Sequence, residues 1–358
     1  MSDVPTPEVD VVIIGGGPIG LATAIEARLA GLTAVVLERR TGPVDKACGE
    51  GLMPAALTHL ARLGVDPAGM PIAGFRYTDG VRSAEHRFRT AVGRGVRRTV
   101  LHQALADRAA ELGVQVRRAV AVPPVQQAGG VRVGDTTARY AIAADGLHSV
   151  TRRTAGLALP SRGARRYGLR RHFAVAPWSD LVEVHWGPSS EVYVTPVAPD
   201  LVGVAVLGGR GCDFDSAVAE HPALAARLRD APAISALRGA GPLQQRVRSR
   251  TAGRTLLVGD AAGYIDALTG EGLAVGLAGS RQAVAAIVRD DPAGYDAAWR
   301  SATRAPRLLT SAVLTLALSP ARRAVVPLAA AVPGLFGAAV EVLSGTASRP
   351  RGAAVPAR

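Results

Sequence analysis

The stretch VDVVIIGGGPIGLATAIEARLAGLTAVVLE, residues 9–38, decides the fold. It opens with an apolar, β-branched run of strand length at 9–14, followed by the glycine-rich turn 15–20, which matches G-x-G-x-x-G. A helical pattern then runs to Gly31, where it stops, and a second apolar strand ends in Glu38. This order of strand, turn, helix, strand and terminal acid predicts a βαβ unit that binds a dinucleotide.

The residue types of this unit suit a dinucleotide for separate physical reasons. Gly15 permits the tight turn, Gly17 lets backbone approach a diphosphate, and Gly20 lets the helix and the strand pack closely. The helix N-terminus offers free N–H groups to the diphosphate, and the terminal acid can accept hydrogen bonds from a ribose. The predicted cofactor-binding residues of the unit are Gly15, Gly17, Pro18, Ile19, Gly20, Glu38 and Arg39. The unit alone does not separate NAD from FAD.

The net charge of +13 does not indicate a nucleic-acid partner. Of the 42 basic residues 41 are arginine, and they are scattered along the chain rather than clustered. A nucleic-acid binder gathers its charge on one face and adds aromatic stacking platforms, whereas aromatic residues make up 4% of this chain. We therefore predict no nucleic-acid binding.

The rest of the composition is that of a globular protein with one large or two ordinary domains: 358 residues, 48% hydrophobic and 20% charged. Cys48 and Cys212 are too few for a disulfide framework or a four-cysteine zinc site, and no metal is predicted. The N-terminal segment MSDVPTPEVD is acidic and polar, unlike a secretory signal, so we expect a cytoplasmic protein.

Three further segments carry motifs that are informative only in combination. Residues 97–105, RRTVLHQAL, place Arg98 in an R-x-x-L-x-x-x-L pattern on a helix. Residues 139–153, RYAIAADGLHSVTRR, predict a strand followed by the D-G motif at 145–146. Residues 255–272, TLLVGDAAGYIDALTGEG, predict a buried strand, a G-D motif and a glycine-rich loop that opens a long helix.

With the first unit, these segments resemble the superfamily of FAD-dependent monooxygenases and geranylgeranyl reductases, which para-hydroxybenzoate hydroxylase typifies. The resemblance covers about residues 1–300. It implies that FAD is the cofactor, that Arg98 reaches it, and that Asp260 binds its ribityl and pyrophosphate region. The D-G motif, Asp145-Gly146, is implied to support the fold and the nicotinamide path. Since no second dinucleotide fingerprint follows, NAD(P)H is expected as a transient electron donor.

Details of the motifs divide between the two branches of the superfamily. KACG at 46–49 resembles the K-x-C-G of the reductases, and 259–272 and 191–205 resemble their flavin loop and their substrate-domain strands. DGLHS at 145–149 is instead a sequence that is common among the monooxygenases. Ala267 departs from both branches, which usually have proline there, and this leaves the local contacts of the flavin open.

Flavin chemistry gives several of these residues an expected role. Reduced flavin is anionic near its N1–C2=O edge, and the helix that starts near Gly272 would direct N–H groups and its dipole to that edge. Gly270 and Gly272 permit the close backbone approach that this needs. Lys46, the only lysine of the chain, is either a point charge for a phosphate or flavin edge, or a surface lysine.

The catalytic residues remain open at this point, with Cys48 and Glu50 as candidates. The thiol of Cys48 either shapes the pocket or donates a proton, or it is a small buried hydrophobe. Glu50 and Glu271 lie in glycine-flanked loops and are either polar side chains without a catalytic role or proton-transfer groups. His148 and His172 show no partner at a recognisable spacing and are treated as ordinary residues.

The predicted fold is α/β: a discontinuous Rossmann-like FAD-binding domain, an inserted antiparallel β substrate domain and C-terminal helices. Alternating apolar and polar positions over 72–90 and 163–208 predict the strands of the inserted sheet. The expected FAD-binding pieces are 1–70, 97–160 and 245–300, and the expected substrate-domain pieces are 71–96 and 161–244. Apolar helices over 301–343 and a disordered tail over 344–358 complete the prediction.

The C-terminal part contains two markedly apolar runs, 308–318 and 324–343. The second run contains residues that disfavour a bilayer-spanning helix: Pro327, Pro333, Gly334 and Glu341. We expect these helices either to cap a hydrophobic substrate cavity or to rest on a membrane surface.

Three functions compete at the level of sequence. The one that the sequence favours is an NAD(P)H-dependent monooxygenase that hydroxylates a hydrophobic small molecule, aromatic or with an alkyl or prenyl chain. The second is a geranylgeranyl-reductase-like flavoenzyme that reduces isoprenoid double bonds. The third is a flavin-binding or membrane-associated accessory protein, against which the intact cofactor fingerprint argues.

Overall fold

The apolar run at the start of the chain becomes an inner strand, Val9–Ile14, of an eight-stranded sheet. It runs parallel to both neighbours and is buried over Val11–Ile14, as expected where helices cover both faces of a parallel sheet. Six strands form the main path of the sheet, in the spatial order Thr251–Ala252, Thr255–Leu257, Thr136–Ala143, Val9–Ile14, Ala34–Glu38 and Gln115–Arg118. Two more branch from it: Gly130–Val133 pairs with Thr136–Ala143, and Val125–Gln127 pairs with Gly130–Val133. The computed structural model describes residues 7–43, 45–120, 122–163 and 165–345.

Three helices that cover this sheet carry the predicted cofactor motifs: Pro18–Leu29, Arg98–Glu111 and Gly272–Val288. The first packs against both of the others, and Thr23 Oγ1 donates a hydrogen bond of 2.8 Å to Ser280 Oγ of the third. The motifs thus lie together near the carboxyl ends of the parallel strands. The predicted α/β fold with a Rossmann-like unit is confirmed.

A second, seven-stranded sheet takes its strands from residues 74–87 and 166–240. All its neighbouring strands are antiparallel except Leu181–Trp186 and Gly74–Thr78, which are parallel. The sequence predicted only antiparallel strands, because alternation fixes the buried face of a strand but not its direction. The spatial order is Arg238–Ala240, Arg166–Ala174, Leu201–Gly209, Glu191–Ala198, Leu181–Trp186, Gly74–Thr78 and Ser83–Arg87.

Smaller elements connect the two large sheets. One is a three-stranded sheet in the order Gly51–Leu52, Gly93–Gly95 and Met70–Ile72, and another is the pair Ala158–Leu159 and Arg246–Val247. The other helices are Pro54–Arg62, Val150–Thr154, Phe214–Ala219, Pro222–Leu228, Tyr295–Ala317, Val325–Ala331 and Pro333–Ser344, and Gly259–Ala262 and Pro320–Ala324 are 3₁₀ turns.

The predicted C-terminal helices form, but their start was predicted wrongly. The boundary between 300 and 301 falls inside the continuous helix Tyr295–Ala317, which also contains Pro306. The following helices pack on the seven-stranded sheet, where the Phe336 and Tyr77 rings lie 5.0 Å apart. Of the predicted tail, residues 346–358 lie outside the described residues.

The helices of the described residues differ in length and in apolar character from membrane-spanning helices. None of the single helices there is both long and apolar enough to cross a bilayer. Only the pair Tyr295–Ala317 and Pro320–Ala331, bent by 101°, reaches that length and composition together.

A buried group of charges joins the C-terminal segment to the seven-stranded sheet. Glu191 is fully buried and pairs with Arg166 and with Arg322, each at 2.5 Å. Arg166 also lies 3.2 Å from Asp266. Since each charge has lost its water, the pairing is needed for the fold.

Replacing Glu191 by alanine should therefore destabilise the protein strongly, because two buried guanidinium groups lose their shared partner. We expect the free energy of unfolding in urea to fall by about 3–5 kcal/mol. Asp180→Ala, which removes the exposed partner of Arg87, is the control and should leave the midpoint nearly unchanged. Equal midpoints for the two variants would contradict this account of the buried charges.

Candidate cofactor and active site

The glycine-rich turn packs against the protein on one side and is open on the other. Gly15 has a φ of +105°, and a Cβ there would lie 2.6 Å from the Ala144 carbonyl oxygen, while a Cβ at Gly20 would overlap the Gly15 carbonyl oxygen. Gly17 differs, because a Cβ at this position would meet no described atom within 4 Å. The free side of Gly17, directly before the helix that begins at Pro18, can therefore receive a ligand.

Glu38 holds the turn from the end of the second strand. Its Oε2 accepts a hydrogen bond of 2.8 Å from the Gly16 N–H, and its Oε1 accepts one of 2.9 Å from the Arg40 N–H. Burial alone would raise the pKa of Glu38, but these hydrogen bonds outweigh it and hold the pKa below the ordinary value. His102, which the sequence analysis missed, lies with Nε2 2.9 Å from the Gly16 carbonyl oxygen.

Three cations, Arg40, Lys46 and Arg98, converge near this turn and form what we call the cationic cluster. Partial burial, and then the charges of Arg40 and Arg98, lower the pKa of Lys46, whereas Asp260 and Glu38 act in the opposite direction. Within the described part of the chain, Lys46 and Arg98 have no ion-pair partner. The two unpaired cations, held with Arg40 beside a helix N-terminus, suit a polyanion such as a diphosphate.

The G-D motif lies on the 3₁₀ turn Gly259–Ala262 and faces the same space. Burial raises the pKa of Asp260, and the charges of Arg98, Lys46 and Arg152 oppose that rise. The buried Arg152 donates hydrogen bonds of 3.1 Å to the Asp260 carbonyl and 3.2 Å to the Ala261 carbonyl. Ile19 of the glycine-rich turn is in contact range of Gly259, so both motifs border one site.

A partly open cleft runs from this motif to the next helix, and it is lined by Asp260, Tyr264, Glu271, Gly272, Val275 and Arg307, among others. Glu271 Oε2 is buried there without a hydrogen-bond partner in the described structure, and burial raises the pKa of Glu271. Burial, and then Arg250, lower the pKa of Arg307 to about 10. Gly270, with a φ of +68°, leaves open space beside the cleft.

The candidate catalytic residue Glu50 is buried and bonded to a histidine from the other sheet. Glu50 Oε2 lies 2.6 Å from His172 Nε2, and Glu50 Oε1 accepts a hydrogen bond of 2.9 Å from the Arg98 N–H. The sequence shows no partner for His172 at a recognisable spacing, and in the structure its partner Glu50 is 122 residues away. Cys48 is half-buried, and its Sγ accepts the Glu50 N–H at 3.4 Å.

Two predicted residues lie away from these contacts. Arg39 is exposed and makes no side-chain contact among the described residues, whereas the next residue, Arg40, contacts Glu38. His148 is also exposed. The sequence signal that favours Arg40 is its position two residues after Glu38, from which its side chain can fold back onto the Glu38 carboxylate.

The donor set fits a flavin dinucleotide. It combines the open turn at Gly17, the cationic cluster for a diphosphate, Glu38 and Asp260 for hydroxyl groups, and a helix N-terminus at Gly272. The unpartnered Glu271 Oε2 in the cleft also needs a polar ligand to satisfy it.

Comparison with known proteins agrees with this geometry. A family model described as FAD binding domain matches residues 8–211, more than half of the chain. A flavoprotein/dehydrogenase of Cytophaga hutchinsonii shares the fold, with a TM-score of 0.82 at 19% identity over 94% of this chain and 93% of that one.

Two relatives of assigned activity align along most of the chain. Digeranylgeranylglycerophospholipid reductase 1 of Methanopyrus kandleri is 31% identical over 329 residues, which are 79% of this chain and 82% of that protein. A dialkyldecalin synthase of Streptomyces rugosporus is 30% identical over 295 residues, which are 75% of this chain. The match spans 62% of that second protein, less than two thirds of its length.

A valine at Gly17 should prevent FAD binding without unfolding the protein, because it fills ligand space rather than protein space. We expect FAD affinity, measured by flavin fluorescence titration, to fall by more than about tenfold, or ~1.4 kcal/mol. The melting temperature of the apoprotein should not change.

Two further glycines are the controls. Gly209→Val also meets open space, away from the turn, and should retain FAD. Gly20→Val should lower the melting temperature, since its side chain overlaps the Gly15 carbonyl. Full FAD occupancy of Gly17→Val would refute the assignment of this turn.

Proposed function

The chain belongs to the FAD-binding-domain family, and from that premise we propose that it is an oxidoreductase that reduces carbon–carbon double bonds in the isoprenoid chain of a lipid. FAD is its cofactor, and NAD(P)H is the electron donor typical of the family. The observation that carries the proposal is a buried apolar cluster formed by the seven-stranded sheet, the G-D loop and the C-terminal helices, against which Tyr264 of the cofactor cleft packs.

This cluster, which we call the substrate face, is formed by side chains from all three parts: Phe75, Tyr77, Val184, Trp186, Tyr193, Leu207, Leu268, Val326 and Phe336. Tyr193 Oη donates a hydrogen bond of 3.0 Å to the Leu268 carbonyl, which ties the sheet to the loop. Aliphatic and aromatic surfaces of this kind stabilise a prenyl chain by removing it from water, by about 25 cal/mol per Å². A charged substrate would gain nothing comparable.

Similarity to a prenyl-lipid reductase along most of the chain supports a reductase; the match to the dialkyldecalin synthase is nearly as long, so it is the kind of substrate and not the alignment length that counts. The similarity to the M. kandleri reductase extends over 79% of this chain, which is more than the FAD-binding match at 8–211. It therefore includes part of the region that supplies the substrate face as well as the cofactor site.

Bound FAD would supply the hydride, and the chain must supply a proton to the other carbon of the double bond. Glu50 is a poor donor, because both its carboxylate oxygens already accept hydrogen bonds. This leaves Cys48 as the candidate in the same loop. Burial, and then the charges of Asp260, Asp266, Cys48 and Glu271, raise the pKa of Tyr264, which agrees with a position of this thiol near the cleft.

A monooxygenase is the second candidate, and the D-G-L-H-S segment favours it. Ser149 Oγ accepts a hydrogen bond of 2.9 Å from the Arg152 N–H and caps the helix Val150–Thr154, while Asp145 accepts one of 3.1 Å from the Thr151 N–H. The same cofactor site and substrate face would then serve the hydroxylation of a hydrophobic metabolite with O₂.

Anaerobic turnover separates these candidates. With NADPH and a geranylgeranyl ether lipid, we expect reduction without O₂, seen by mass spectrometry as two hydrogen atoms gained per double bond. Cys48→Ala should lower kcat by about a hundredfold, as expected for loss of a general acid, and Cys212→Ala is the matched control. A strict need for O₂ with a gain of one oxygen atom would support the monooxygenase instead.

We infer in addition that the outer side of the C-terminal helices contacts an anionic lipid surface. Large apolar side chains are exposed there: Leu308, Leu318, Leu328, Val332 and Leu335. Residues 297–340 contain no acidic residue, and Arg300, Arg304 and Arg323 are exposed along the same segment. Exposed leucines bordered by arginines and free of acids are complementary to anionic headgroups over acyl chains.

Serine at Leu318, Leu328 and Leu335 together should reduce binding to phosphatidylglycerol vesicles by more than about tenfold in cosedimentation, because three apolar side chains no longer insert. Leu29→Ser with Leu237→Ser removes other exposed leucines and should leave binding unchanged. Unchanged binding of the triple variant would refute the lipid contact. A dimer that dissociates in the triple variant, with no vesicle binding by the natural chain, would point to a second copy instead.

A further inference from the structure

One face of the strand Arg166–Ala174 carries charged side chains that reach two loops of the cofactor site. Positions 166, 170 and 172 lie on the same face because side chains alternate along a strand. Arg166 pairs with Asp266 in the G-D loop, whereas Arg170 and His172 reach the loop 45–51. The exposed fractions are only 4% for Arg166, 1% for Arg170 and 0% for His172, so these contacts are made inside the protein.

Arg170 fixes which nitrogen of His172 carries the proton. Its guanidinium lies 3.0 Å from His172 Nδ1, and it also donates to the Asp45 carboxylate and, at 3.1 Å, to the Lys46 carbonyl. A guanidinium has donors only, so Nδ1 must accept. The imidazole is then neutral with its proton on Nε2, 2.6 Å from Glu50 Oε2.

Glu50 consequently faces two obligate donors. His172 donates to Oε2, and the Arg98 N–H donates to Oε1 at 2.9 Å. Two donors, one at each oxygen, favour the ionised carboxylate, which is the stronger acceptor and has no proton to place between itself and either donor. The Glu50 carbonyl accepts a third hydrogen bond, of 2.8 Å, from the Val96 N–H, so this one residue holds the start of the helix Arg98–Glu111 from two sides.

The backbone of Glu50 supports a role for its side chain. Its φ of +59° lies in the left-handed region, which favours glycine. A glutamate here is held by its side-chain hydrogen bonds against a backbone preference for another residue.

We propose that Arg170 and His172 are positioning residues: Arg170 sets Lys46, and both residues together hold Glu50 as an anion that sets Arg98, against the FAD diphosphate. Arg170 fixes the Lys46 backbone directly, and the Arg170–His172–Glu50 chain fixes the backbone of Arg98. The inference rests on the cofactor site used in the proposed function and not on the substrate. Its test measures FAD binding without substrate, so its failure and that of the proposed reaction are distinguishable.

The variants separate hydrogen bonding from bulk. Leucine at His172 removes both contacts, whereas glutamine there can donate to Glu50 and accept from Arg170. We expect His172→Leu and Glu50→Gln each to weaken FAD binding by about tenfold, because each breaks a hydrogen bond to a charged group. The double variant should lose about the same tenfold rather than a hundredfold, since both residues act in one network.

Two variants should retain FAD affinity within about threefold. His172→Gln should also restore the visible circular dichroism of the bound flavin that His172→Leu changes. Ser235→Ala removes the other group near His172 Nδ1, at 3.1 Å, and with it the acceptor of the His172 N–H, at 3.0 Å. FAD affinity should still stay within this range, because Arg170 sets the tautomer. If His172→Leu fails to fold, Glu50→Gly replaces it, since glycine suits the backbone at this position and still removes the carboxylate.

The results that would overturn the proposal are specific. Unchanged FAD affinity in Glu50→Gln and Glu50→Gly would show that the carboxylate positions nothing. Additive losses in the double variant would show that His172 and Glu50 act separately. A loss in His172→Gln equal to that in His172→Leu would show that shape, and not the donor and acceptor pattern, holds the loop.

Discussion

A charge that is buried must be paired, and this constraint fixes how the seven-stranded sheet meets the cofactor loops. Glu191 pairs with Arg166, which lies two strands away in the same sheet, and with Arg322 of the C-terminal segment. Arg166 in turn reaches Asp266 of the G-D loop. Burial raises the pKa of Asp266 to about 6 although Arg166 opposes the rise. The four groups can be satisfied only when sheet, loop and C-terminal segment keep their relative positions.

The sequence predicts what local order determines and misses what tertiary contacts determine. The βαβ unit and the helices starting at Arg98 and Gly272 follow from periodicity, glycine turns and caps, and all three form. The pairing of Glu50 with His172 depends on how two sheets pack, so local spacing carries no trace of it. The parallel direction of Leu181–Trp186 was likewise hidden, because parallel and antiparallel strands share the same alternation.

The C-terminal helices reconcile two expectations that the sequence left as alternatives. Their inner side buries Val326 and Phe336 on the substrate face, as a cap would. Their outer side exposes Leu318 and Leu328, as a surface that meets acyl chains would. An amphipathic segment can do both, since its two faces are independent.

The cationic cluster shows why cofactor binding and loop position belong together. Arg40, Lys46 and Arg98 repel one another, and the lowered pKa of Lys46 records part of that cost. The FAD diphosphate would supply the counter-charge, so its binding stabilises a loop arrangement that is costly without it. The backbones of Lys46 and Arg98 are held by hydrogen bonds that lead back to Arg170 and His172. A shift of that strand would therefore change cofactor affinity, and a bound cofactor would in turn favour one position of the sheet that carries the substrate face.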